Sequence, residues 1–133
     1  MPKISVKEIR NISETALVQH GALDWISQQV AAAVAASESV GNRICGLYYL
    51  ESYCEQLLSG RVNGKASPVV QLVRSGSVYV DADDGFAQPA FAKGLPEALK
   101  LAKNNGIASL SVGRAHTCTS LGYFTKKIAE AGF

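Results

Sequence analysis

Apolar residues recur every three to four positions through the first 60 residues, a spacing that predicts amphipathic helices. Ser5 and Glu8 form a capping-box pattern before the first of these helices, and Asp24 is a good N-cap for the second. The predicted helices span about residues 6–20, 25–39 and 47–58. Their predicted buried faces contain Ile9, Ile12, Ala16 and Leu17, then Ile26, Val30, Ala33, Val34 and Ser37, then Leu47, Leu50, Tyr53, Cys54, Leu57 and Leu58.

After residue 60 the pattern changes to short strands that alternate with helices. Two strands flank a Ser75-Gly76 turn, which indicates a β-hairpin. A helix then runs from about Pro89 to Asn105, with Pro96 in or near its first turn or at a kink. The remaining predictions are strands at 69–74, 77–81 and 107–112, a loop at 113–119, and a last helix capped by Ser120 that runs to about residue 131.

The order of elements predicts an α/β (α+β) fold in which three helices precede a β-β-α-β-α unit. We expect a helical N-terminal region at residues 1–60 and the first part of a mixed α/β core domain at 61–133. In an α/β layer a strand normally follows a helix, whereas this sequence has Gly132-Phe133 after its last helix. We therefore expect the chain to be the opening part of a larger protein.

Composition and charge exclude several classes of protein. The 133 residues are 47% hydrophobic and 18% charged, with a net charge of +2 and no basic block, so we expect no nucleic-acid partner. The apolar run at 30–36 is far shorter than the ~20 residues of a membrane-spanning helix, so we expect no membrane partner. Three cysteines without metal-type spacing favour a reducing compartment, and we expect a cytoplasmic protein with no metal.

Two histidines are the first candidates for chemistry. His20 lies beside Gly21 at a helix end, where a capping role is expected. His116 lies between the end of a strand and the start of a helix, where ligands of α/β sheets bind and where anions find free N–H groups. It is either an acid–base residue near neutral pH or a histidine of a surface loop. Its polar neighbours are Arg114, Thr117, Thr119 and Ser120.

Cysteine chemistry is a further possibility. Cys118 precedes a helix N-terminus, which favours a thiolate, and either Cys118 or Cys45 could act with His116 in a thiol hydrolase. The acidic stretch 81–85 begins like a calcium loop, but Phe86 and Ala92 occupy the required Gly and Glu positions. It is therefore interpreted as a solvated turn. The sequence contains no G-x-G-x-x-G or P-loop motif.

Four segments, in the same order, carry a family resemblance. They are GLYYLESYCEQLLSGRVN at 46–63, VDADDGFAQ at 80–88, AKNNGI at 102–107, and His116 followed by Gly122-Tyr123. Together they resemble the type-2 malate/L-lactate dehydrogenase family, which includes ureidoglycolate and sulfolactate dehydrogenases and diketogulonate and piperideine-carboxylate reductases.

The resemblance implies NAD(P)-dependent reduction of a small 2-oxo or imino acid, or oxidation of a 2-hydroxy acid. It also implies a non-Rossmann dehydrogenase fold, a homodimer, and an active site between domains that a partner subunit completes. The family's dinucleotide-binding segment corresponds to sequence beyond residue 133, so most of the cofactor contacts are expected outside this chain.

The resemblance also implies roles for particular residues. His116 matches one of two family histidines that transfer a proton. Cys45, in Ile44-Cys45-Gly46, replaces the second histidine of a Ser-His-Gly motif, and Tyr49 replaces an arginine expected to bind the substrate carboxylate. Apart from the resemblance, Arg114 and Ser120 are predicted anion contacts because they lie beside a helix N-terminus. A thiol titrates at about 8.5 and imidazole at about 6.5, so Cys45 is a poor substitute for a neutral-pH acid.

Three hypotheses follow for the function. The first is an oxidoreductase of this family that is incomplete or degenerate in this chain. The second is a non-catalytic remnant or a dimerising interaction module. The third is the thiol enzyme that uses His116 with Cys118 or Cys45.

Overall fold

The computed structural model describes residues 3–116 and 118–133, so Thr117 of the predicted site lies outside the described residues. The chain divides into two compact units, the first ending at Lys65 and the second beginning at Ala66. The first contains α1 (Val6–Gln19), α2 (Asp24–Ser39), a 3₁₀ helix (Arg43–Cys45) and α3 (Leu47–Leu58). The second contains β1 (Val69–Arg74), β2 (Ser77–Asp81), α4 (Ala87–Asn105), β3 (Ser109–Gly113) and α5 (Leu121–Glu130).

Local capping defines the ends of α1. The Ser5 hydroxyl accepts a hydrogen bond from the Glu8 amide at 3.1 Å, and the Glu8 carboxylate accepts one from the Ser5 amide at 2.8 Å. The predicted capping box is therefore confirmed. At the other end His20 is the C-cap, and its Nδ1 lies 2.6 Å from the Ala16 carbonyl oxygen, which confirms its capping role. Gly21 follows with φ +101°, a conformation that favours glycine.

The first unit is a helical layer in which α1 packs mainly along α2 and also contacts α3. The predicted stripe of α2 is confirmed, since all five of its members are buried. Two predicted core positions are wrong: Ile12 is 51% exposed and Leu58 is 70% exposed. Ser13 is buried on α1 instead, and its hydroxyl donates to the Ile9 carbonyl at 2.8 Å, which satisfies its hydrogen-bonding capacity within the helix.

The second unit is built on a three-stranded sheet of order β1-β2-β3. β1 and β2 form the predicted antiparallel hairpin, while β2 and β3 are parallel, with Val80 opposite Val112. Parallel neighbours need a crossover connection, and α4 provides it by packing against all three strands. The core between α4 and the sheet is made by Val78, Val80, Ala82, Ala90 and Ala98.

Several element ends differ from the predictions. Asp24 is the first residue of α2 rather than its N-cap. The α4 helix begins two residues before Pro89 and keeps Pro96 in its interior. β3 begins at Ser109, because Ile107 is 76% exposed and precedes the paired residues. Ser120 is the N-cap of α5 by position, but its side chain makes no capping hydrogen bond.

No helix in the described part of the chain is both long enough and apolar enough to cross a membrane.

α4 lies close against the sheet at Gly94. A Cβ atom at this position would overlap Val80 Cγ2 and would lie 2.7 Å from Leu110 Cδ1. Val80 is fully buried, and Leu110 is a partly buried side chain packed against the same core. The absence of a side chain at residue 94 therefore sets how closely the crossover helix packs on β2 and β3.

We expect Gly94→Ala to destabilise the second unit by about 1–3 kcal/mol, because overpacking outweighs the gain in helix propensity. Gly122→Ala is the matched control: the nearest atom to its Cβ would be Ser120 Oγ at 3.9 Å. This control should be neutral or stabilise by up to about 1 kcal/mol. Urea unfolding, followed through the methyl resonances of Val78 and Val80, measures the free energy of unfolding of both variants. Equal midpoints for the two variants would contradict the packing argument.

Candidate active site

Two backbone hydrogen bonds hold His116 just beyond the carboxyl end of β3. His116 forms a parallel β-bridge with Phe86. Its amide donates to the Gly85 carbonyl at 2.7 Å, and its carbonyl accepts from the Ala87 amide at 3.1 Å. The pairing of β2 with β3 therefore continues past the ends of both strands and defines the position of the histidine.

The side chain of His116 is half-buried and packs edge-on against Phe86. The ring centroids are 6.2 Å apart and the rings are inclined by 70°. Phe86 is only 1% exposed, so it forms a rigid support for the imidazole. An imidazole in this position has the chemistry to take up or release a proton near neutral pH.

A cavity of about 500 Å³ lies beside His116, within the size range of small-molecule sites. Its walls come from the start of α4, from β3, from the loop that contains His116, and from α5. They are mostly apolar, and His116 and Thr125 supply polar side chains. The lining residues are Ala87, Phe91, Leu110, Val112, Ala115, His116, Cys118, Leu121, Phe124 and Thr125.

Arg114 lies two residues before His116 in a left-handed conformation, with φ +50°. Its guanidinium makes a two-pronged contact with Asp84, from Nη2 at 2.6 Å and from Nε at 3.3 Å. Nη1 also donates to Asp81 at 3.1 Å, and Nη2 lies 3.8 Å from Asp83. The acidic stretch interpreted as a solvated turn therefore holds an arginine of the neighbouring loop.

This cluster shifts the ionisation of its members. The hydrogen bond from Arg114 lowers the pKa of Asp84. The hydrogen bond to Asp84 and the charges of Asp81, Asp84 and Asp83 raise the pKa of Arg114 further above its already high value. Both groups are therefore charged across the physiological range. The role of Arg114 as an anion contact for a ligand stays a prediction, and each guanidinium nitrogen already has a carboxylate partner.

The other predicted residues of the second unit lie near the same cavity. Cys118 is a free, half-buried cysteine in the cavity wall. Its backbone carbonyl accepts a long hydrogen bond, 3.5 Å, from the side-chain amide of the buried Gln88. Ser120 is half-buried immediately before α5. His116 and Cys118 are thus brought to one cavity, and Ser120 stands at the N-terminus of the helix that forms one wall.

The two predicted residues of the first unit lie around the start of α3. Cys45 ends the 3₁₀ helix and is half-buried, and its amide donates to the Asn42 carbonyl at 3.2 Å. Tyr49 packs edge-on against Tyr53, with centroids 5.1 Å apart. Glu38 accepts a hydrogen bond from the Leu47 amide at 2.8 Å and so caps α3 from the end of α2.

Sequence reasoning missed Glu38, Phe86 and the acidic partners of Arg114. Glu38 lies nine residues before the amide that it caps, so no capping-box spacing indicates it. Asp81 and Asp84 lie 33 and 30 residues from Arg114. Only the parallel pairing of β2 with β3, combined with opposite charge at both strand ends, could have indicated that contact. Across residues 3–116 and 118–133, no group of three His, Cys, Asp or Glu side chains is arranged to hold a metal ion.

The second unit thus places a histidine beside a mostly apolar cavity just beyond the end of a parallel strand, where ligands of α/β folds commonly bind. A family model described as malate/L-lactate dehydrogenase matches residues 4–133. The chain therefore belongs to the malate/L-lactate dehydrogenase family, which confirms the resemblance seen in the sequence.

Relatives of known activity agree with this assignment. The chain is 30% identical over 130 residues to the Δ1-pyrroline-2-carboxylate/Δ1-piperideine-2-carboxylate reductase of Pseudomonas putida, an alignment that covers 98% of this chain and 38% of that protein. It is 32% identical over 130 residues to the (2R)-3-sulfolactate dehydrogenase (NADP+) of Chromohalobacter salexigens, covering 97% and 38%.

Solved structures support the same fold. The crystal structure of Δ1-piperideine-2-carboxylate reductase from Pseudomonas syringae pvar. tomato matches with a TM-score of 0.95 at 30% identity, and the match covers 99% of this chain and 40% of that one. The expected fold of this dehydrogenase family is thereby confirmed. The chain spans about two fifths of the length of the relatives that it matches.

The charge cluster yields a titration prediction. Because the pKa of Asp84 is lowered by Arg114, Arg114→Gln should raise that pKa towards its ordinary value. The stabilisation from this pair is present above the unfolded-state pKa of Asp84 and is lost as pH falls through the lower folded-state pKa. The carboxyl ¹³C resonance of Asp84 gives its titration midpoint in the unchanged chain and in Arg114→Gln. Arg10→Gln, which removes an exposed arginine paired with Glu14, is the control. An unchanged Asp84 midpoint in Arg114→Gln would contradict the assignment.

Proposed function

We propose that this chain supplies the acid–base residue and the small-acid pocket of a nicotinamide-dependent oxidoreductase that reduces a cyclic 2-imino acid or a 2-oxo acid, or oxidises the corresponding product. The observation that carries the proposal is His116, which is held through its backbone beside a cavity of about 500 Å³. Membership of the malate/L-lactate dehydrogenase family supports it.

The chemistry of the cavity walls favours a substrate with a saturated carbon ring. Phe91, Leu110, Val112, Leu121 and Phe124 present apolar surface, which suits ring methylenes better than a second charged group. The relative from Pseudomonas putida, a Δ1-pyrroline-2-carboxylate/Δ1-piperideine-2-carboxylate reductase, is named for a five-membered and a six-membered cyclic imino acid, which supports the same class. We therefore favour a five- or six-membered cyclic imino acid over a sulfonated or carbamoylated acid.

His116 is proposed to move the proton of this reaction. Reduction of a C=N or C=O bond adds a hydride to carbon and a proton to nitrogen or oxygen. His116 in its protonated form donates that proton, and in the oxidative direction its neutral form accepts it. The Phe86 ring and the two backbone hydrogen bonds restrict the movement of the imidazole, so its orientation is set before a ligand arrives.

The residues present fit only one part of an NAD or NADP molecule. The cavity of about 500 Å³ beside His116 is mostly apolar, and the part of it not filled by the substrate ring fits a nicotinamide ring. The pyrophosphate is not matched there, since no lysine or arginine is among the described residues that line this cavity. When bound, the reduced nicotinamide supplies the hydride.

The remaining site assignments are part of the proposal. Ser120, at the N-terminus of α5, is proposed as a contact for the substrate carboxylate, since free N–H groups at a helix start favour anions. Cys45 and Tyr49 are proposed to occupy the positions of the family histidine and arginine and to weaken proton transfer and carboxylate binding. Association as a homodimer and a cytoplasmic location stay predictions.

The small-acid pocket is tested by titrating the chain with pyrrole-2-carboxylate, a stable planar analogue of a cyclic imino acid. We expect saturable shifts of the His116 ring resonances with a Kd of about 1 mM or tighter, or about −4 kcal/mol. His116→Asn should weaken binding measured by calorimetry by about tenfold, because a charge-assisted hydrogen bond is lost. His20→Asn, the same change at the other histidine, should leave it unchanged. Absence of saturable binding would overturn the proposal and favour a non-catalytic interaction module.

Restoring the family histidine should not by itself create turnover. We expect Cys45→His in residues 1–133 to show no NADH- or NADPH-dependent reduction of Δ1-piperideine-2-carboxylate, because an acid–base group adds no contact to the pyrophosphate. The loss of reduced-nicotinamide absorbance is the measurement. Turnover by this variant above that of the unchanged chain would show that the 133-residue chain builds a complete cofactor site.

A further inference from the structure

We propose that Arg114 is a positioning residue for His116: by bridging the acidic turn at 81–84, its guanidinium holds the loop that presents the imidazole to the cavity. The inference rests on the proposed function in one respect, namely that His116 is the proton-transfer residue. The contacts themselves are independent of any ligand.

The first argument is the series of contacts between the two loops. Four successive links join the segment after β2 to the segment after β3. They are Ala82 N to Gly113 O at 2.9 Å, the Arg114 guanidinium to Asp81 and Asp84, His116 N to Gly85 O at 2.7 Å, and Ala87 N to His116 O at 3.1 Å. Arg114 supplies the ionic link of this series, between the Ala82–Gly113 hydrogen bond and the two hydrogen bonds of the His116 backbone. Its loss would leave those backbone hydrogen bonds without the charged contact that lies between them.

The second argument is electrostatic. Three carboxylates of the turn face one guanidinium, and Asp83 and Asp84 both have φ +55°. The turn is held on its other side as well, since Asp83 accepts a hydrogen bond from the Ser67 amide at 3.1 Å and Asp81 accepts one from the Asp83 amide at 2.9 Å. Without Arg114, the like charges of Asp81, Asp83 and Asp84 would repel and open the turn that carries Gly85.

The third argument is the conformation of Arg114 itself. Its φ of +50° is unfavourable for a long side chain, whereas Asn tolerates it. The backbone conformation at residue 114 therefore does not favour arginine, and the reason for an arginine lies in its side-chain contacts. The forked contact with Asp84 matches the planar geometry of a guanidinium, which a lysine ammonium lacks.

The experiment compares Arg114→Asn, Arg114→Lys and the control Arg10→Gln by amide hydrogen exchange of the 133-residue chain. In Arg114→Asn we expect the amides of His116 and Ala87 to exchange about tenfold faster, while Val80 in β2 changes by less than about twofold. Arg114→Lys should give an intermediate result. The His116 ring protons should also shift, because they lie against the Phe86 ring. Arg10→Gln should change none of these signals.

Two outcomes would overturn the proposal. If His116 and Ala87 exchange at unchanged rates in Arg114→Asn, Arg114 does not hold the loop. If Val80 accelerates by the same factor as His116, the residue stabilises the whole unit rather than positioning the histidine. Neither readout needs a ligand, so this inference can fail while pyrrole-2-carboxylate still binds, and the proposed function can fail while the loop contacts are verified.

Discussion

The parallel pairing of β2 with β3 is the constraint on which the second unit depends. Parallel strands cannot be joined by a tight turn, so the chain must cross over the sheet, and α4 is the crossing element. The helix then needs a residue without a side chain where it meets Val80 and Leu110, and Gly94 is that residue. The same pairing extends beyond the strand ends to Phe86 and His116.

Two different environments meet at His116. On one side is the mostly apolar cavity, where burial favours carbon-rich ligands. On the other side is an exposed cluster of one guanidinium and three carboxylates, where water weakens each ion pair but the forked geometry defines the position of the loop. His116 therefore lies between an exposed charge cluster, which contacts the loop before it, and a mostly apolar cavity.

Elements whose ends are set by neighbouring residues in the sequence were predicted correctly, whereas features set by contacts between distant residues were not. The bounds of α3 were predicted correctly because Gly46 and Ser59-Gly60 mark both ends locally, and the hairpin strands were predicted because Ser75-Gly76 joins two β-prone runs. Ile12 was misplaced because a helical face about 100° wide does not reveal which of its edges faces the neighbouring helix.

The candidate site was predictable only in part, for the same reason. His116 was indicated by its position after a strand and before a helix, which is a local signal. The contacts that orient it, from Phe86, Asp81 and Asp84, come from about 30 residues away and depend on the register of a parallel pair. The register of β2 with β3 depends on how all the core side chains pack, and no motif near His116 indicates it.

The exposure of β1 has a consequence for the behaviour of the chain at high concentration. All six residues of this edge strand are exposed, and four of them, Val69, Val70, Leu72 and Val73, are apolar. A six-residue β-prone segment with an open hydrogen-bonding edge is a template for intermolecular β-pairing. The irregularity between Leu72 and Arg74 interrupts its register with β2, and the charge of Arg74 opposes stacking of identical strands. Within the described residues, the register irregularity and the charge of Arg74 are thus the two features of this strand that oppose its pairing with another chain.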